Sequence, residues 1–165
     1  MAVINATQAT IRDAVASVVD PEIRVVSIEE LGILRDVTVD DTGRATVTIT
    51  PTYSGCPAMD VIRADVAAAA RDAGASAVEV RTVLSPAWST DLISESGKAK
   101  MTAAGIAPPE PVRATGRAVL LQIAVRCPRC GSPSTQELAR FGSTACKSLW
   151  RCNECREPFD HIKAH

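Results

Sequence analysis

Residues 33–50, ILRDVTVDDTGRATVTIT, carry the pattern that decides the fold of this chain. Apolar and polar residues alternate in both halves of the segment, which is typical of half-buried β-strands. Between the halves stand Asp40-Asp41-Thr42-Gly43, residues that favour a tight turn. The segment therefore predicts a β-hairpin. Its buried face would carry Ile33, Val37, Val39, Val47 and Ile49.

Helical patterns flank this hairpin on both sides. Residues 7–19 place apolar side chains at helical spacing and end at Asp20-Pro21, because proline cannot continue the hydrogen-bond ladder. Pro57 stands where helices begin, and the apolar positions after it predict a core-facing helix that ends near Gly74. A third alternating run follows at residues 77–84. Its inner face would carry Val78, Val80 and Leu84.

The order of these elements predicts the fold class. Helix, strand, strand, helix, strand indicates an α+β layer in which helices pack on one face of a small three-stranded sheet. The helix before the third strand must cross over, which allows a parallel strand pair. A further helix is predicted at residues 90–104, capped by Ser89 or Thr90, and a Pro-rich linker at residues 107–116. Residues 119–125 predict the first strand of a terminal ribbon.

Four cysteines near the end of the chain form two matched pairs, Cys127-Pro-Arg-Cys130 and Cys152-Asn-Glu-Cys155. Each pair places two sulfurs on one tight turn, and two such turns facing each other form a tetrahedral cage suited to Zn²⁺ or a single iron. Two structural disulfides or four unrelated buried thiols are the alternatives. We expect a zinc ribbon over residues 113–165, after an α+β domain over residues 1–112.

Composition and charge limit the cellular setting and the partners. No apolar run approaches the roughly 20 residues needed to cross a bilayer, and the N-terminus lacks a secretory signal, so we expect a cytoplasmic protein with reduced thiols. The net charge of −1 divides into −6 over residues 1–112 and +5 over residues 113–165. A basic ribbon could bind nucleic acid, but its few aromatic residues and the lack of a basic run favour an acidic protein surface, or the chain's own acidic domain, instead.

Cys56 is the candidate for active chemistry in the first domain. It lies between the second strand and the following helix, where the positive end of the helix dipole predicts a lowered pKa and a reactive or metal-binding thiol. The alternative is a small buried residue at a helix start. Asp20 and Glu22, on either side of Pro21, could accept hydrogen bonds or help bind iron, or could be solvated acids that end the first helix.

Other candidate residues have weaker patterns. Cys146 is a fifth thiol near the four-cysteine cage and could be an alternate ligand, a sulfur acceptor or a filler. His161 and His165 could share a helical face and bind metal, or belong to a frayed C-terminus. Trp88 is expected to cover an edge of the core. No phosphate loop, catalytic triad or dinucleotide fingerprint is present, so no catalytic residue is assigned.

Several motifs resemble known families. Asp20-Pro-Glu-Ile and Thr50-Pro-Thr-Tyr-Ser-Gly-Cys56-Pro57 resemble the MIP18 (DUF59) iron–sulfur assembly domain. Phe141-Gly-Ser-Thr-Ala-Cys-Lys147, between the two cysteine pairs, is similar to the PaaD family, also called PaaJ, of bacterial phenylacetate degradation. The resemblance covers nearly the whole chain. It departs at Arg24, where the family often has proline, and at Lys163-Ala-His165, where relatives often carry one more cysteine.

The resemblance implies an accessory role beside the multicomponent phenylacetyl-CoA epoxidase, a di-iron oxygenase fed by an iron–sulfur flavin reductase. It implies an assembly or maintenance factor for iron–sulfur or iron centres, with oxygenase and reductase components as partners. Cys56, Asp20 and Glu22 would bind a transient cluster or iron, the four ribbon cysteines zinc, and Cys146 would be an auxiliary thiol. A homodimer could share one cluster between two Cys56 thiols. A non-catalytic structural subunit and a rubredoxin-like electron carrier are the alternatives.

Overall fold

The computed structural model describes residues 8–53, 55–109 and 125–164. The chain divides into two compact units, Met1–Trp88 and Ser89–His165. The predicted domain boundary at residue 112, and the predicted strand at residues 119–125 apart from its last residue, lie outside the described ranges, so both stay predictions. Within those ranges, no helix combines the length and the apolar character needed to cross a membrane.

The predicted hairpin is confirmed. Strand β1 (Leu34–Val39) pairs antiparallel with β2 (Arg44–Ile49). Asp40 holds the turn, because its Oδ1 accepts hydrogen bonds from the N–H groups of Thr42 and Arg44 at 2.9 and 3.0 Å. Gly43 adopts a φ of +80°, a conformation that a residue with a Cβ atom rarely tolerates.

A third strand completes the sheet of the first unit. Strand β3 (Ala77–Thr82) pairs in parallel with β2, so the order is β1-β2-β3. The crossover is α2 (Ala58–Asp72), which packs beside α1 (Gln8–Ala16). The predicted α+β class is therefore confirmed, with a core of aliphatic side chains. Its fully buried members include Ile11, Val15, Val37, Val47, Ile49, Ile62 and Val66.

The loop between α1 and β1 is held by a reciprocal cap and by a buried tryptophan. The N–H of Ser27 donates to Glu30 Oε2 at 3.0 Å, and the N–H of Glu30 donates to Ser27 Oγ at 3.2 Å, which is a capping box. Trp88 is buried and donates its Nε1–H to the carbonyl of Leu31 at 2.8 Å. Trp88 therefore covers the core edge, as its loop position predicted.

Leu84 corrects the prediction for the third strand. Its side chain is 66% exposed, whereas the alternating run had placed it on the inner face. Pairing between β2 and β3 ends at Thr82, and one further hydrogen bond joins the Val83 N–H to the Ile49 carbonyl at 2.9 Å. The alternating pattern thus extends beyond the end of the ladder, and Leu84 lies on the surface.

The second unit begins with a broken helix. A 3₁₀ turn spans Thr90–Leu92, and α3 spans Glu95–Ala103. Ser94 caps α3, since its Oγ accepts a hydrogen bond from the Gly97 N–H at 3.1 Å. The predicted continuous helix from residue 90, with Ser89 or Thr90 as the cap, is wrong because Ile93 and Ser94 adopt extended backbone angles.

A four-stranded sheet forms the rest of the second unit. It comprises β4 (Ile106–Ala107), β5 (Thr135–Ala139), β6 (Lys147–Cys152) and β7 (Pro158–Ile162), in the order β4-β7-β6-β5. Strand β4 pairs in parallel with β7, although its second residue, Ala107, had been assigned to the predicted linker. A small core joins this strand to the cysteine turns. It contains Ala107, Val125, Cys127, Cys152 and Phe159.

Candidate functional site

The four ribbon cysteines converge on one point. Their Sγ atoms all lie within 4.8 Å of one another, with Cys127 and Cys155 at 3.7 Å and Cys130 and Cys152 at 3.5 Å. All of them are free thiols, so the disulfide alternative is wrong. A tetrahedral site with Zn–S bonds of about 2.3 Å has S–S edges of about 3.8 Å. The sulfur positions therefore fit a four-thiolate metal site.

Tight turns position the Sγ atoms of the four ribbon cysteines. The Gly131 N–H donates to the Cys127 carbonyl at 2.9 Å, and Gly131 has a φ of +74°. At the second turn, burial acts to raise the pKa of Cys152, but hydrogen bonds from the backbone N–H groups of Cys155 and Glu154, together with those from the Cys130 and Cys155 side chains, lower that pKa to about 7. Backbone N–H groups aimed at sulfur favour the thiolate, which is the form that binds metal.

Cys56 lies directly before the N-cap of α2 and is half-buried. The prediction of a lowered pKa is wrong. Burial raises the pKa of this thiol, and the nearby carboxylates of Glu22 and Asp20 raise it further. Hydrogen bonds from the Ala58 N–H and the Thr52 side chain offset only part of the increase. The sequence-based argument considered the helix dipole alone and omitted desolvation, which depends on the folded surroundings.

The Asp20-Pro21-Glu22 turn lies close to Cys56. Asp20 is buried, and its Oδ1 accepts hydrogen bonds from the N–H groups of Glu22 and Ile23 at 2.8 and 2.7 Å. This carboxylate therefore stabilises the turn after α1 and is not a solvated acid. Glu22 is half-buried, and both carboxylates are near enough to Cys56 to act on its pKa.

Cys56, Asp20 and Glu22 lie in one region of the first unit, but their ligand atoms do not converge as those of a metal site do. Among the described residues, the ribbon cysteines are the one group of three or more metal-ligating side chains whose ligand atoms converge. Cys56, Asp20 and Glu22 together do not form such a group.

Cys56 opens onto a surface cleft of about 420 Å³. Arg63 braces the cleft, because its Nε and Nη2 donate to Thr82 Oγ1 at 3.2 and 2.9 Å and its Nη1 donates to Asp60 Oδ1 at 2.8 Å. No pattern in the sequence indicated Arg63, Asp60 or Thr82 as site residues, since the cleft forms between the start of α2 and the end of β3. Its lining consists of Pro51, Gly55, Cys56, Pro57, Met59, Asp60, Arg63, Thr82 and Leu84.

Cys146 is half-buried and lies outside the converging group of cysteines. Its Sγ is 3.1 Å from Thr144 Oγ1, and its carbonyl accepts a hydrogen bond from the Lys163 N–H at 3.0 Å. The neighbouring Lys147 is buried, with its Nζ 3.9 Å from Asp160 Oδ2. Cys146 is thus hydrogen-bonded to the residue that follows β7, and an auxiliary role for this thiol stays a prediction.

His161 corrects the prediction of a helical histidine pair. It lies in β7, where its Nδ1 is 3.3 Å from Ser148 Oγ and its ring meets the Trp150 ring edge-to-face at 5.9 Å. Burial lowers the pKa of His161 to about 4, so the ring is neutral at physiological pH. His165 lies outside the described residues.

Replacing Glu22 by glutamine is expected to lower the pKa of Cys56, because it removes one of the negative charges that disfavour the thiolate. At a fixed pH below that pKa, alkylation of Cys56 by iodoacetamide should become faster. The pH–rate profile, followed by mass spectrometry of the Cys56 peptide, measures this. Glu29→Gln, at an exposed acid paired with Arg12, is the matched control. An unchanged profile in E22Q would contradict the electrostatic role.

Two family matches divide the chain between them. Residues 8–83 match the family described as iron–sulfur cluster assembly protein, and residues 112–163 match the PaaD zinc beta ribbon domain. The first match covers α1, the three-stranded sheet, α2 and Cys56. The second covers all four converging cysteines and Cys146.

Individual relatives agree with this division. The chain is 42% identical, over 87% of its length, to a protein of Escherichia coli (strain K12) described as a putative 1,2-phenylacetyl-CoA epoxidase subunit, and covers 85% of that protein. It is 36% identical, over 57% of its length, to the Fe-S protein maturation auxiliary factor YitW of Bacillus subtilis (strain 168), and covers 92% of it. A DUF59 domain of Bacillus anthracis superposes with a TM-score of 0.53 at 31% identity, covering 57% of this chain and 90% of that one. The chain therefore belongs to the PaaD family, in which an iron–sulfur assembly domain precedes a zinc ribbon.

Proposed function

We propose that this chain assembles or maintains the iron–sulfur or iron centres of a phenylacetyl-CoA epoxidase, as an accessory protein and not as a catalyst. The observation that carries the proposal is the position of Cys56. Its thiol lies in the unit that matches iron–sulfur assembly proteins, beside the carboxylates of Glu22 and Asp20, and opens onto a cleft. The epoxidase system is inferred from the relative in Escherichia coli.

The electrostatics of Cys56 suit a thiol that carries iron for a limited time. Burial and two carboxylates disfavour the bare thiolate, and a bound cation reverses both effects by neutralising the charge. Iron binding should therefore release a proton from Cys56, and loss of iron should take one up. Since the described residues supply no complete ligand set there, the cargo remains exchangeable.

We assign Zn²⁺ to the ribbon site formed by Cys127, Cys130, Cys152 and Cys155. Four thiolates close the coordination sphere, and zinc has no redox chemistry, so the metal would hold the ribbon together. Iron in the same site would instead make a rubredoxin-like electron carrier. Elemental analysis of the purified protein distinguishes the two, with one zinc per chain supporting a structural ribbon.

The proposed clients are the oxygenase and the iron–sulfur flavin reductase of the epoxidase. A permanently bound structural subunit is the second candidate, because the relative in Escherichia coli is described as a subunit of that enzyme. The two candidates differ in what Cys56 does. A structural subunit has no use for the thiol, whereas an assembly factor requires it.

Expression of the epoxidase components without this chain tests the function. We expect the components to purify with little iron and acid-labile sulfide, and the wild-type chain, but not Cys56→Ala, to restore both. Full restoration by Cys56→Ala, with the chain remaining bound in a fixed ratio, would instead establish the structural subunit. Iron, sulfide and subunit stoichiometry are measured on the same anaerobic preparations.

A further inference from the structure

We propose that Cys155 is the ligand through which the ribbon metal enters and leaves, and that the left-handed backbone of Arg156 makes the second cysteine turn the one that opens. The inference concerns the metal site of the ribbon and does not depend on the role of Cys56. It is carried by two turns that match each other in their contacts and differ at one position, so that each turn serves as a comparison for the other.

The two cysteine turns are closed by the same backbone contact. In the first turn, the Cys127 N–H donates to the Ser132 carbonyl at 3.0 Å. In the second turn, the Cys152 N–H donates to the Glu157 carbonyl, also at 3.0 Å. Each bond joins the first cysteine of a pair to the residue five positions ahead of it. The two halves of the cage therefore have the same backbone frame.

An arginine reinforces each turn in the same way. Arg126, directly before the first cysteine pair, donates from its Nη1 to the Gly131 carbonyl at 3.2 Å. Arg151, directly before the second pair, donates from its Nε to the Arg156 carbonyl at 3.4 Å. In both turns the acceptor is the residue that follows the second cysteine. Because the arginine contacts match, they do not decide which turn opens.

The turns differ in the residue that accepts this hydrogen bond. Gly131 and Arg156 have φ angles of +74° and +64°, so both adopt the left-handed conformation. Glycine adopts it without penalty, whereas in other residues the Cβ atom comes too close to the following carbonyl oxygen. Within residues 8–53, 55–109 and 125–164, Arg156 is the one residue other than glycine with a positive φ. Opening the second turn therefore relieves backbone strain, and opening the first relieves none.

Burial limits which sulfur atoms can leave the metal. Cys127 and Cys152 are buried in the small core of the second unit, whereas Cys130 and Cys155 are exposed. An incoming ligand must approach from solvent, so exchange begins at an exposed thiolate. Of these two, Cys155 directly precedes the strained Arg156. Cys155 Sγ leaves with its electron pair as a thiolate, and a donor atom of the incoming ligand takes the vacated position, while three thiolates stay bound.

Arg156→Gly tests the strain directly, because it permits the same backbone conformation and removes the Cβ atom. The full-length chain is purified with its metal, and release of zinc to an excess of the chelating dye pyridylazoresorcinol is followed by absorbance at constant pH. R156G should release zinc about threefold more slowly than wild type, since neither turn then opens with relief of strain. Arg156→Ala is the matched control. It removes the charge but keeps the Cβ atom, and should release zinc as wild type does.

Gly131→Ala places the same strain in the first turn. A Cβ atom on Gly131 would meet no heavy atom within 4 Å outside its chain neighbours, so the substitution changes the backbone preference alone. The order of opening is read by trapping with excess N-ethylmaleimide and mass spectrometry of the cysteine peptides. In the wild-type chain, Cys155 should be alkylated about fivefold faster than Cys130. In G131A, the two cysteines should be alkylated at similar rates.

Each other outcome is decisive. An unchanged release rate in R156G would overturn the role of Arg156, and so would equal slowing in R156A, which would assign the effect to the lost charge. Alkylation of Cys130 before Cys155 in the wild-type chain would overturn the order of opening, even if a variant failed to fold. A ribbon that purifies without metal would refute the metal assignment and this inference together. If the ribbon holds iron instead of zinc, loss of its thiolate-to-iron absorption measures the same release.

Discussion

Cys56→Ala is expected to abolish iron binding by the first unit. Anaerobic reconstitution of the wild-type chain with iron and sulfide should give thiolate-to-iron absorption, and the variant should lose this absorption and at least nine-tenths of the associated iron. The reason is that residues 1–112 contain no other cysteine, so no thiolate remains to hold the cargo. Because the thiol is half-buried and small, the stability cost should be about 1 kcal/mol.

The control for this experiment is Cys146→Ala, which removes a half-buried thiol from the second unit. It should keep the iron absorption, and both variants should keep the ribbon metal, measured as zinc in the same samples. Retention of equal iron at equal affinity by Cys56→Ala would refute the assignment of Cys56 as the cargo thiol. Loss of iron in Cys146→Ala would instead give that thiol the auxiliary role that the family resemblance implies.

Removing the ribbon metal is expected to unfold the second unit, including elements that precede the cysteines in sequence. Two of the five residues in its small core, Cys127 and Cys152, belong to the converging group of four cysteines. Structural zinc in small domains contributes about 10–16 kcal/mol of binding free energy to folding. Strand β4 pairs with β7, and the Arg129 side chain lies 3.7 Å from where a Cβ on Gly105 would be, so the end of α3 contacts the first cysteine turn.

Hydrogen exchange on the full chain measures this effect. Chelation, or Cys152→Ser, should remove amide protection from β4 to β7 and from α3, while β1 to β3 keep theirs. Cys146→Ser is the matched control, because it removes a ribbon thiol that lies outside the converging group. Protection of α3 that survives loss of the metal would show that this helix folds independently of the ribbon.

Local patterns predicted much of the first unit correctly. The hairpin and the crossover helix follow from residue spacing, because their defining hydrogen bonds join residues close in sequence. Each cysteine pair follows from one short turn in the same way, and the matched spacing of the two pairs predicted that their sulfur atoms converge. The positions at which helices begin and strands end were less predictable from the sequence. Ser94 caps α3 because the backbone at this residue is extended. Leu84 lies on the surface because pairing between β2 and β3 ends at Thr82.

By itself, the sequence of this chain determined its α+β class, its cysteine cage, and Cys56 as the one thiol of residues 1–112. Only the tertiary structure decided the chemistry around Cys56. Burial and the approach of Glu22 and Asp20 raise its pKa where the helix dipole alone had predicted a decrease. The cleft likewise exists only once α2 packs beside β3. Desolvation and Coulomb energies depend on distances between atoms that folding brings together, and no spacing along the chain encodes those distances directly.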